Sequence, residues 1–344
     1  MVNFMSKRVR IGIVGAGGIV KSRHLPGLLA LPEVEIVAVC NSSLGSSQRF
    51  CAEFLPSAEP MGRWEELVSR TDVDAVWIGT TPHLHSEISC YALRAGKHVF
   101  CQARMARSLA EAQAMWEASV SNPELVAMLC PPPHGMKGER PIQRLLAEGA
   151  IGSPHQIILR SMTRQWLNPD APMHWRQDAA ISGLHVLTFG IYLEVLQRWL
   201  GDITSVFADG TVVFPERQGE PVEVPDVFHV LCGFRNGAKG SLIFSGVAAH
   251  APEDKLEIYG TEGTLTYDFA TDEIMLGKKD GELQQVPIPE HEVKEWTVEK
   301  DFIHAVLDPS QPRPKPDFLE GIKYMRVVQA AAESMDGGDL VRVA

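Results

Sequence analysis

The first 130 residues alternate between short apolar runs and longer segments with apolar residues at every third or fourth position. The apolar runs fit buried strands, and the segments between them fit helices. Strands that alternate with helices over short connections form a parallel sheet covered on both faces. We therefore predict a doubly wound Rossmann-type α/β domain over residues 1–130, with strands at 9–14, 35–40, 75–78, 98–101 and 126–129.

The first predicted strand ends in a glycine-rich turn at residues 15–18, which leads into a predicted helix with leucines at 25, 28 and 29. Such a turn lets the backbone approach a pyrophosphate and directs N–H groups and the positive helix end at it. Val20 replaces the third glycine of this pattern, which should widen the helix–strand packing without removing the anion site. The alternative is a tight turn that binds nothing. We predict cofactor contacts for Gly15, Gly17, Gly18 and Ile19.

The second predicted strand ends without the acidic residue that binds the ribose 2′-hydroxyl of NAD in such folds. Asn41, Ser42 and Ser43 stand there instead, and they can donate hydrogen bonds to a 2′-phosphate, which favours NADP over NAD. A serine-rich turn without a ligand is an equal alternative. Ligands of parallel sheets bind outside the carboxyl ends of the strands. The other strand ends, up to His134, add predicted cofactor contacts at Thr80, Thr81, His85 and Gln102.

The pattern changes after three consecutive prolines at 131–133. Short β-rich runs separated by glycine turns follow, which predict an antiparallel sheet of hairpins. We predict a second α/β domain over residues 131–344 with a large, mainly antiparallel open sheet. One face of such a sheet needs a partner, so we expect a homo-oligomer through it. Predicted helices lie at 142–148, 184–200, 296–306 and 318–334.

A loop at residues 166–178 is dense in aromatic and polar side chains, and loops of this kind often carry ligand contacts. Arg176 is its candidate for substrate binding, although Trp175 packing and an Arg176–Asp178 ion pair would explain the loop equally well. The predicted helix at 184–200 places His185 and Tyr192 two turns apart on one face. For His185 a hydrogen-bonded core position is the alternative.

Composition limits the ligands. The chain has 344 residues, a formal net charge of −11 and no cluster of lysine or arginine, which argues against nucleic acid or an anionic membrane as partner. We expect small-molecule ligands. No membrane-length apolar run is present and residues 1–7 lack a signal-peptide core, so we expect a cytoplasmic protein. Six scattered cysteines predict buried free thiols and no metal site.

Several stretches together resemble the successive signatures of one family: the glycine turn followed by His24, IGTTPHLH at 78–85, AGKHVF at 95–100 and RLLAEGAIG at 144–152. Over nearly the whole chain, the sequence resembles the glucose-fructose oxidoreductase, inositol dehydrogenase and rhizopine-catabolism oxidoreductases. The resemblance implies a Rossmann domain, a second α/β domain with a large open sheet, and NAD(P)-linked oxidation or reduction of sugars, cyclitols or related hydroxy compounds.

The chain departs from the family at three acid–base positions. After Gly-Lys-His-Val the family carries Glu-Lys-Pro, whose lysine assists proton transfer near the nicotinamide, whereas this chain has Gln102-Ala103-Arg104. The family's aspartate and histidine, four residues apart on an inter-domain helix, correspond to Thr188 and Tyr192. Because a hydroxyl proton still needs an acceptor, either another group serves or the reaction is not ordinary alcohol oxidation.

Tyr192 is the candidate for the proton-transfer group, because it occupies the family's histidine position. A phenol has a reference pKa of about 10, so a base near neutrality would need a nearby cation, such as Arg104 or Arg176.

Three functions stay open. The first is an NAD(P)-dependent oxidoreductase in which Tyr192 transfers the proton and Arg104, Arg176 and His185 polarise or position the substrate. It predicts that Tyr192→Phe removes turnover and leaves cofactor binding intact. The second is a catalytically silent NAD(P)-binding sensor. The third is a redox-neutral eliminase or glycosidase that uses bound NAD transiently.

Overall fold

The computed structural model describes residues 8–133 and 137–343, so residues 1–7 and His134 lie outside the described part. The chain forms two compact units. The first contains residues 8–131 and 297–322, and the second contains residues 132–296 and 323–343. The domain boundary inferred between residues 130 and 131 stays a prediction.

The first unit is built on six parallel strands in the order β3-β2-β1-β4-β5-β6. This is the predicted doubly wound sheet. The strands are β1 (Val9–Val14), β2 (Val34–Cys40), β3 (Glu59–Met61), β4 (Ala75–Ile78), β5 (His98–Cys101) and β6 (Ala127–Leu129). The helices between them are α1 (Leu25–Leu29), α2 (Leu44–Phe54), α3 (Trp64–Val68), α4 (His85–Arg94) and α5 (Leu109–Val120).

Local sequence explains where these helices begin and end. Pro82 opens the short 3₁₀ turn that leads into α4, at a position where a missing N–H costs nothing. Gly96 follows α4 with a φ of +74°, a conformation that favours glycine. The hydroxyl of Ser108 accepts a hydrogen bond from the Glu111 N–H and so caps α5.

The second unit is built on a nine-stranded sheet in the order β16-β15-β14-β13-β7-β12-β11-β8-β17, in which β7 and β12 pair in parallel and the other neighbours pair antiparallel. The mainly antiparallel sheet was predicted. The elements of the second unit are α6 (Glu139–Ala147), β7 (Pro154–Met162), α7 (Ala179–Ser182), α8 (Phe189–Leu200), β8 (Ile203–Thr211), β9 (Glu216–Arg217), β10 (Glu220–Pro221), β11 (Val227–Phe234), β12 (Lys239–Ser245), β13 (Lys255–Gly260), β14 (Gly263–Asp268), β15 (Glu273–Lys278), β16 (Gln284–Val286) and β17 (Val341–Arg342). Strands β9 and β10 pair with each other in a separate two-stranded sheet.

The prediction of one helix over 184–200 is wrong in its first third. The chain leaves α7 at Gly183, Leu187 adopts a φ of +47°, and α8 begins only at Phe189. A left-handed residue cannot continue a right-handed helix. His185 therefore lies in an irregular segment and does not share a helical face with Tyr192.

Two helices near the end of the chain, α9 (Val298–Leu307) and α10 (Phe318–Gly337), match the predicted ones. Within residues 8–133 and 137–343, no helix has the length and apolar character needed to cross a membrane. All six cysteines are free and buried, which confirms that prediction.

Candidate active site

Hydrogen bonds to the last residue of β2 and to the residue after it hold the glycine turn that follows β1. The Gly15 N–H donates to the Cys40 carbonyl at 2.8 Å, and the Ala16 N–H donates to the Asn41 side-chain oxygen at 2.7 Å. A Cβ placed on Gly17 or on Gly18 would meet no heavy atom within 4 Å. The turn thus presents open space at residues 17 and 18, ahead of the helical turn Val20–His24, while the Gly17 N–H donates to the Gly15 carbonyl at 2.9 Å.

Val20 does not block this turn. Its side chain is fully buried, and a Cβ on Gly79 would lie 2.3 Å from Val20 Cγ2. Gly79, just after β4, therefore provides the room that the third glycine of the pattern usually leaves.

The residues after β2 combine structural and exposed groups. Asn41 uses its side-chain oxygen to hold Ala16, which keeps its amide nitrogen as the possible donor to a ligand. Ser43 caps α2 by accepting a hydrogen bond from the Ser46 N–H, and Ser42 is exposed. Two of the residues predicted to bind the cofactor, Asn41 and Ser43, thus also stabilise the local structure.

Both ring nitrogens of His85 lie within hydrogen-bond distance of backbone carbonyls, and its predicted contact with the cofactor stays a prediction. It is fully buried, its Nδ1 lies 2.8 Å from the Arg104 carbonyl, and its Nε2 lies 2.9 Å from the Thr80 carbonyl. It therefore ties the segment after β4 to the segment after β5. Burial lowers the pKa of this imidazole. Thr81 Oγ1 lies 2.9 Å from His83 Nδ1.

The segment after β5 contacts a buried pair of side chains, His24 and Glu299, through Gln102. His24 Nδ1 lies 2.5 Å from Glu299 Oε1, and His24 Nε2 lies 3.3 Å from Gln102 Oε1. The side chain of Gln102 is thereby oriented from inside the first unit. Arg104 follows and is 2% exposed.

In the second unit, Tyr192 belongs to a hydrogen-bonded cluster of four side chains. Its hydroxyl donates to Asp254 Oδ2 at 2.5 Å, and the Ser161 hydroxyl donates to the same oxygen at 2.7 Å. Thr188 Oγ1 lies 3.0 Å from Ser161 Oγ. The two positions that carry the family's aspartate and histidine are therefore joined through Ser161 and Asp254. We call these four residues the Asp254 cluster.

The condition for Tyr192 to act as a base near neutrality, a pKa lowered by a nearby cation, is not met. Burial and then the negative charge of Asp254 raise the pKa of this phenol above its ordinary value. The phenol is thus held protonated near neutrality, as a hydrogen-bond donor to a carboxylate.

The loop at 166–178 carries the predicted arginine. The guanidinium of Arg176 lies 4.3 Å from the ring centre of Trp175, and partial burial lowers its pKa. Asp178 accepts a hydrogen bond from the Ala180 N–H at 2.8 Å and makes no ion pair with Arg176. His185 is fully buried.

A dinucleotide fits the first unit. The open backbone at residues 17 and 18 offers the close approach that a pyrophosphate needs. Thr80 lies against Gly15 of the same turn, and its Oγ1 is buried and has no hydrogen-bond partner among the described residues. Within that same part of the chain, no group of three or more His, Cys, Asp or Glu side chains is placed to hold a metal ion.

Two family models match the chain. Residues 9–129 match the oxidoreductase family with an NAD-binding Rossmann fold, and residues 140–266 match the GFO/IDH/MocA C-terminal domain. The chain belongs to the Gfo/Idh/MocA family. It is therefore an NAD(P)-dependent oxidoreductase by family, and the predicted fold class and cofactor type are confirmed.

Curated relatives extend over most of the chain. Levoglucosan dehydrogenase of Pseudarthrobacter phenanthrenivorans is 28% identical over 76% of this chain and 74% of its own length. A dTDP-3,4-didehydro-2,6-dideoxy-alpha-D-glucose 3-reductase of Actinomadura kijaniata is 27% identical over 89% and 90%. Myo-inositol 2-dehydrogenase of Thermotoga maritima is 26% identical over 76% and 75%.

Solved structures show the same fold. Levoglucosan dehydrogenase in complex with NADH and levoglucosan superposes with a TM-score of 0.86 over 98% of this chain and 99% of that one, at 23% identity.

Sequence reasoning missed two functional candidates of this Gfo/Idh/MocA protein. Asp254 lies 62 residues from Tyr192, and no local motif marks it. Gly79 was quoted only as part of a signature, although the replacement of a glycine by Val20 was a signal that space is needed elsewhere.

Proposed function

We propose that this protein oxidises a hydroxyl group, or reduces a carbonyl group, of a sugar, cyclitol or related polyhydroxy compound. The names of its relatives support this substrate class, since they act on levoglucosan, a dTDP-sugar and myo-inositol. The bound nicotinamide would accept or donate the hydride. The observation that carries the proposal is the Asp254 cluster, because a hydrogen-bonded acid–base system occupies the family positions whose usual residues are absent.

We assign the residues the following roles. Tyr192 handles the hydroxyl proton. Arg176, stacked on Trp175, offers donors and an aromatic face to a polyhydroxy ligand. Arg104 and His185 position the substrate. Gly15, Gly17, Gly18, Ile19, Thr80, Thr81 and Gln102 hold the dinucleotide.

We propose a preference for NADP over NAD. The end of β2 carries no carboxylate to hold a ribose diol, and Asn41, Ser42 and Ser43 offer neutral donors. Arg49 folds back over the first turn of α2, where its Nη1 lies 3.6 Å from the place of a Cβ on Gly45. Its guanidinium supplies the cation that a 2′-phosphate needs.

Ala103 favours a second candidate, a cofactor-binding sensor without turnover, because the usual lysine is missing. The redox-neutral eliminase or glycosidase is the third. The three are separated by one experiment: titration of the purified protein with NADH and NADPH by fluorescence, followed by a panel of levoglucosan, myo-inositol and related sugars. Turnover with net formation of NADH or NADPH supports the oxidoreductase. Tight binding without turnover supports the sensor, and product without reduced cofactor supports the third.

We also propose that a second copy of the chain covers the open face of the nine-stranded sheet. Leu231 and Phe207 lie directly opposite each other on β11 and β8 and are 56% and 37% exposed.

We also propose that the protein is located in the cytoplasm. The six free, buried cysteines support this location, because thiols stay reduced in that compartment.

A further inference from the structure

The carboxylate of the Asp254 cluster comes from outside the segment where the family carries its acidic residue. Asp254 immediately precedes β13, whereas Thr188 and Tyr192 stand at the start of α8. The hydroxyl of Ser161 links the two sides, because it donates to Asp254 Oδ2 at 2.7 Å and lies 3.0 Å from Thr188 Oγ1. A carboxylate is therefore present in the cluster although position 188 has lost it.

Asp254 is held firmly. Its Oδ2 accepts hydrogen bonds from Tyr192 and Ser161, and its Oδ1 accepts one from the Met162 N–H at 3.2 Å. The donors come from two different elements, α8 and β7. Tyr192 is 1% exposed, whereas Asp254 is only half-buried. Asp254 thus connects a buried phenol to solvent.

We propose that Tyr192 and Asp254 act as a proton relay, in which the phenol takes the proton of the substrate hydroxyl while passing its own proton to the carboxylate. The inference rests on the proposed oxidoreductase function. In oxidation, the substrate O–H bond breaks and its electron pair forms the second C–O bond. The C–H electron pair would leave as a hydride, which a bound nicotinamide would accept. The proton reaches Asp254, which releases it to water.

The concerted transfer explains how Tyr192 can accept a proton although it is not ionised near neutrality. Burial and the charge of Asp254 raise the pKa of the phenol, so a free phenolate is not available near neutrality. In the relay the phenol is never ionised, because it loses a proton only as it gains one. The short contact of 2.5 Å between Tyr192 and Asp254 supports such a transfer.

Kinetics of four variants test the relay with whichever member of the sugar and cyclitol panel gives turnover. Asp254→Asn keeps the shape and the acceptor for the Met162 N–H but cannot take a proton. We expect it to lower kcat by about 100-fold or more, the usual size of a general acid–base effect, with KM and the Kd of the dinucleotide within about threefold of wild type. Tyr192→Phe should likewise lower kcat and leave KM and the Kd of the dinucleotide nearly unchanged. The double variant should be no slower than the single ones, because residues that act as a unit are not additive.

Glu253→Gln is the matched control. Glu253 is the exposed neighbour of Asp254, so its substitution should leave kcat unchanged. An Asp254→Asn enzyme within about fivefold of wild-type kcat overturns the relay, and so do fully multiplicative losses in the double variant.

A measurement without substrate separates failure of the relay from failure of the proposed function. Proton NMR of the substrate-free protein, with Tyr192→Phe to assign the signal, reports the hydrogen bond from the Tyr192 hydroxyl to Asp254. We expect a downfield hydroxyl resonance in the wild type that moves upfield in Asp254→Asn, because a charged acceptor is replaced by a neutral one. If no panel compound reacts but this change is seen, the proposed function is at fault. If the wild type turns over and the resonance is absent or unchanged in Asp254→Asn, the relay is wrong.

Discussion

Gly17 is a position where a substitution should weaken cofactor binding without lowering the stability of the fold. A Cβ at this position would contact no heavy atom within 4 Å, and its φ lies outside the left-handed region. Gly17→Ala should therefore leave the midpoint of thermal unfolding unchanged. The added methyl group would occupy the space through which a pyrophosphate approaches the backbone, so we expect the Kd for NADH to rise by about tenfold or more.

Gly62→Ala is the control for that variant, because its Cβ would make only ordinary contact, at 3.4 Å from the Leu44 Cβ. It should match wild type in both unfolding temperature and NADH fluorescence titration. An unaltered NADH affinity in Gly17→Ala would place the pyrophosphate elsewhere.

Arg49 tests the choice between NADP and NAD. Its guanidinium lies near Gly45 in the first turn of α2, the helix that Ser43 caps. A charge-assisted hydrogen bond to phosphate contributes about 1.5–3 kcal/mol, so Arg49→Met should weaken NADPH binding by about tenfold or more. NADH lacks the 2′-phosphate and should bind as before. Equal loss for both dinucleotides would mean that Arg49 does not contact this phosphate.

At the residue scale, the sequence predicts a site only as far as its residues are close along the chain. The glycine turn was found because residues 15–18 form one local motif after an apolar run. Asp254 was not found, because only the pairing of β7 with β13 and the packing of α8 bring it to Tyr192. The same separation along the chain hid the effect of Asp254 on the pKa of that phenol.

At the scale of elements, Arg217 of β9 holds the aromatic loop in place. It is 1% exposed and donates to the Trp166 carbonyl at 2.5 Å and to the Asn168 carbonyl at 2.6 Å. Arg217→Met would leave both carbonyls without these donors, at a cost of about 1–3 kcal/mol each. We expect faster hydrogen exchange in residues 163–178, measured by mass spectrometry.

Arg235→Met serves as the comparison for Arg217→Met. The side chain of Arg235 is 73% exposed and pairs with Asp202 at the surface, an interaction of small energetic value. Its exchange in residues 163–178 should equal that of wild type. If Arg217→Met leaves this exchange unchanged as well, other contacts hold the loop.

Elements themselves were predicted well where periodicity is strong and poorly where one residue breaks it. The parallel strands follow from apolar runs, and β4 is buried at every position. The segment 184–200 is nearly apolar throughout, so its pattern does not reveal the left-handed Leu187 that delays α8 to Phe189. Leu29 was placed at helical spacing with Leu25 and Leu28, yet it is 57% exposed because α1 ends there.

At the scale of the whole molecule, the proposed assembly depends on the open face of the large sheet. Side chains alternate along β11, where Phe228, Val230 and Cys232 are buried while His229 and Leu231 face outward. Exposed apolar side chains that sit together on a sheet mark an interaction surface. In a two-fold dimer the same surface meets its own copy, so a single substitution acts twice.

Leu231→Lys should therefore dissociate the assembly. The wild type is expected to elute with a mass that is a multiple of 37.9 kDa, measured by light scattering after gel filtration, and the variant at 37.9 kDa. Leu29→Lys is the matched control, because Leu29 is 57% exposed, against 56% for Leu231, but lies outside the sheet. A charge there meets only water, so the mass should stay that of wild type. If both variants keep the wild-type mass, this face is not the interface, and a monomeric wild type would leave the face exposed without a second copy.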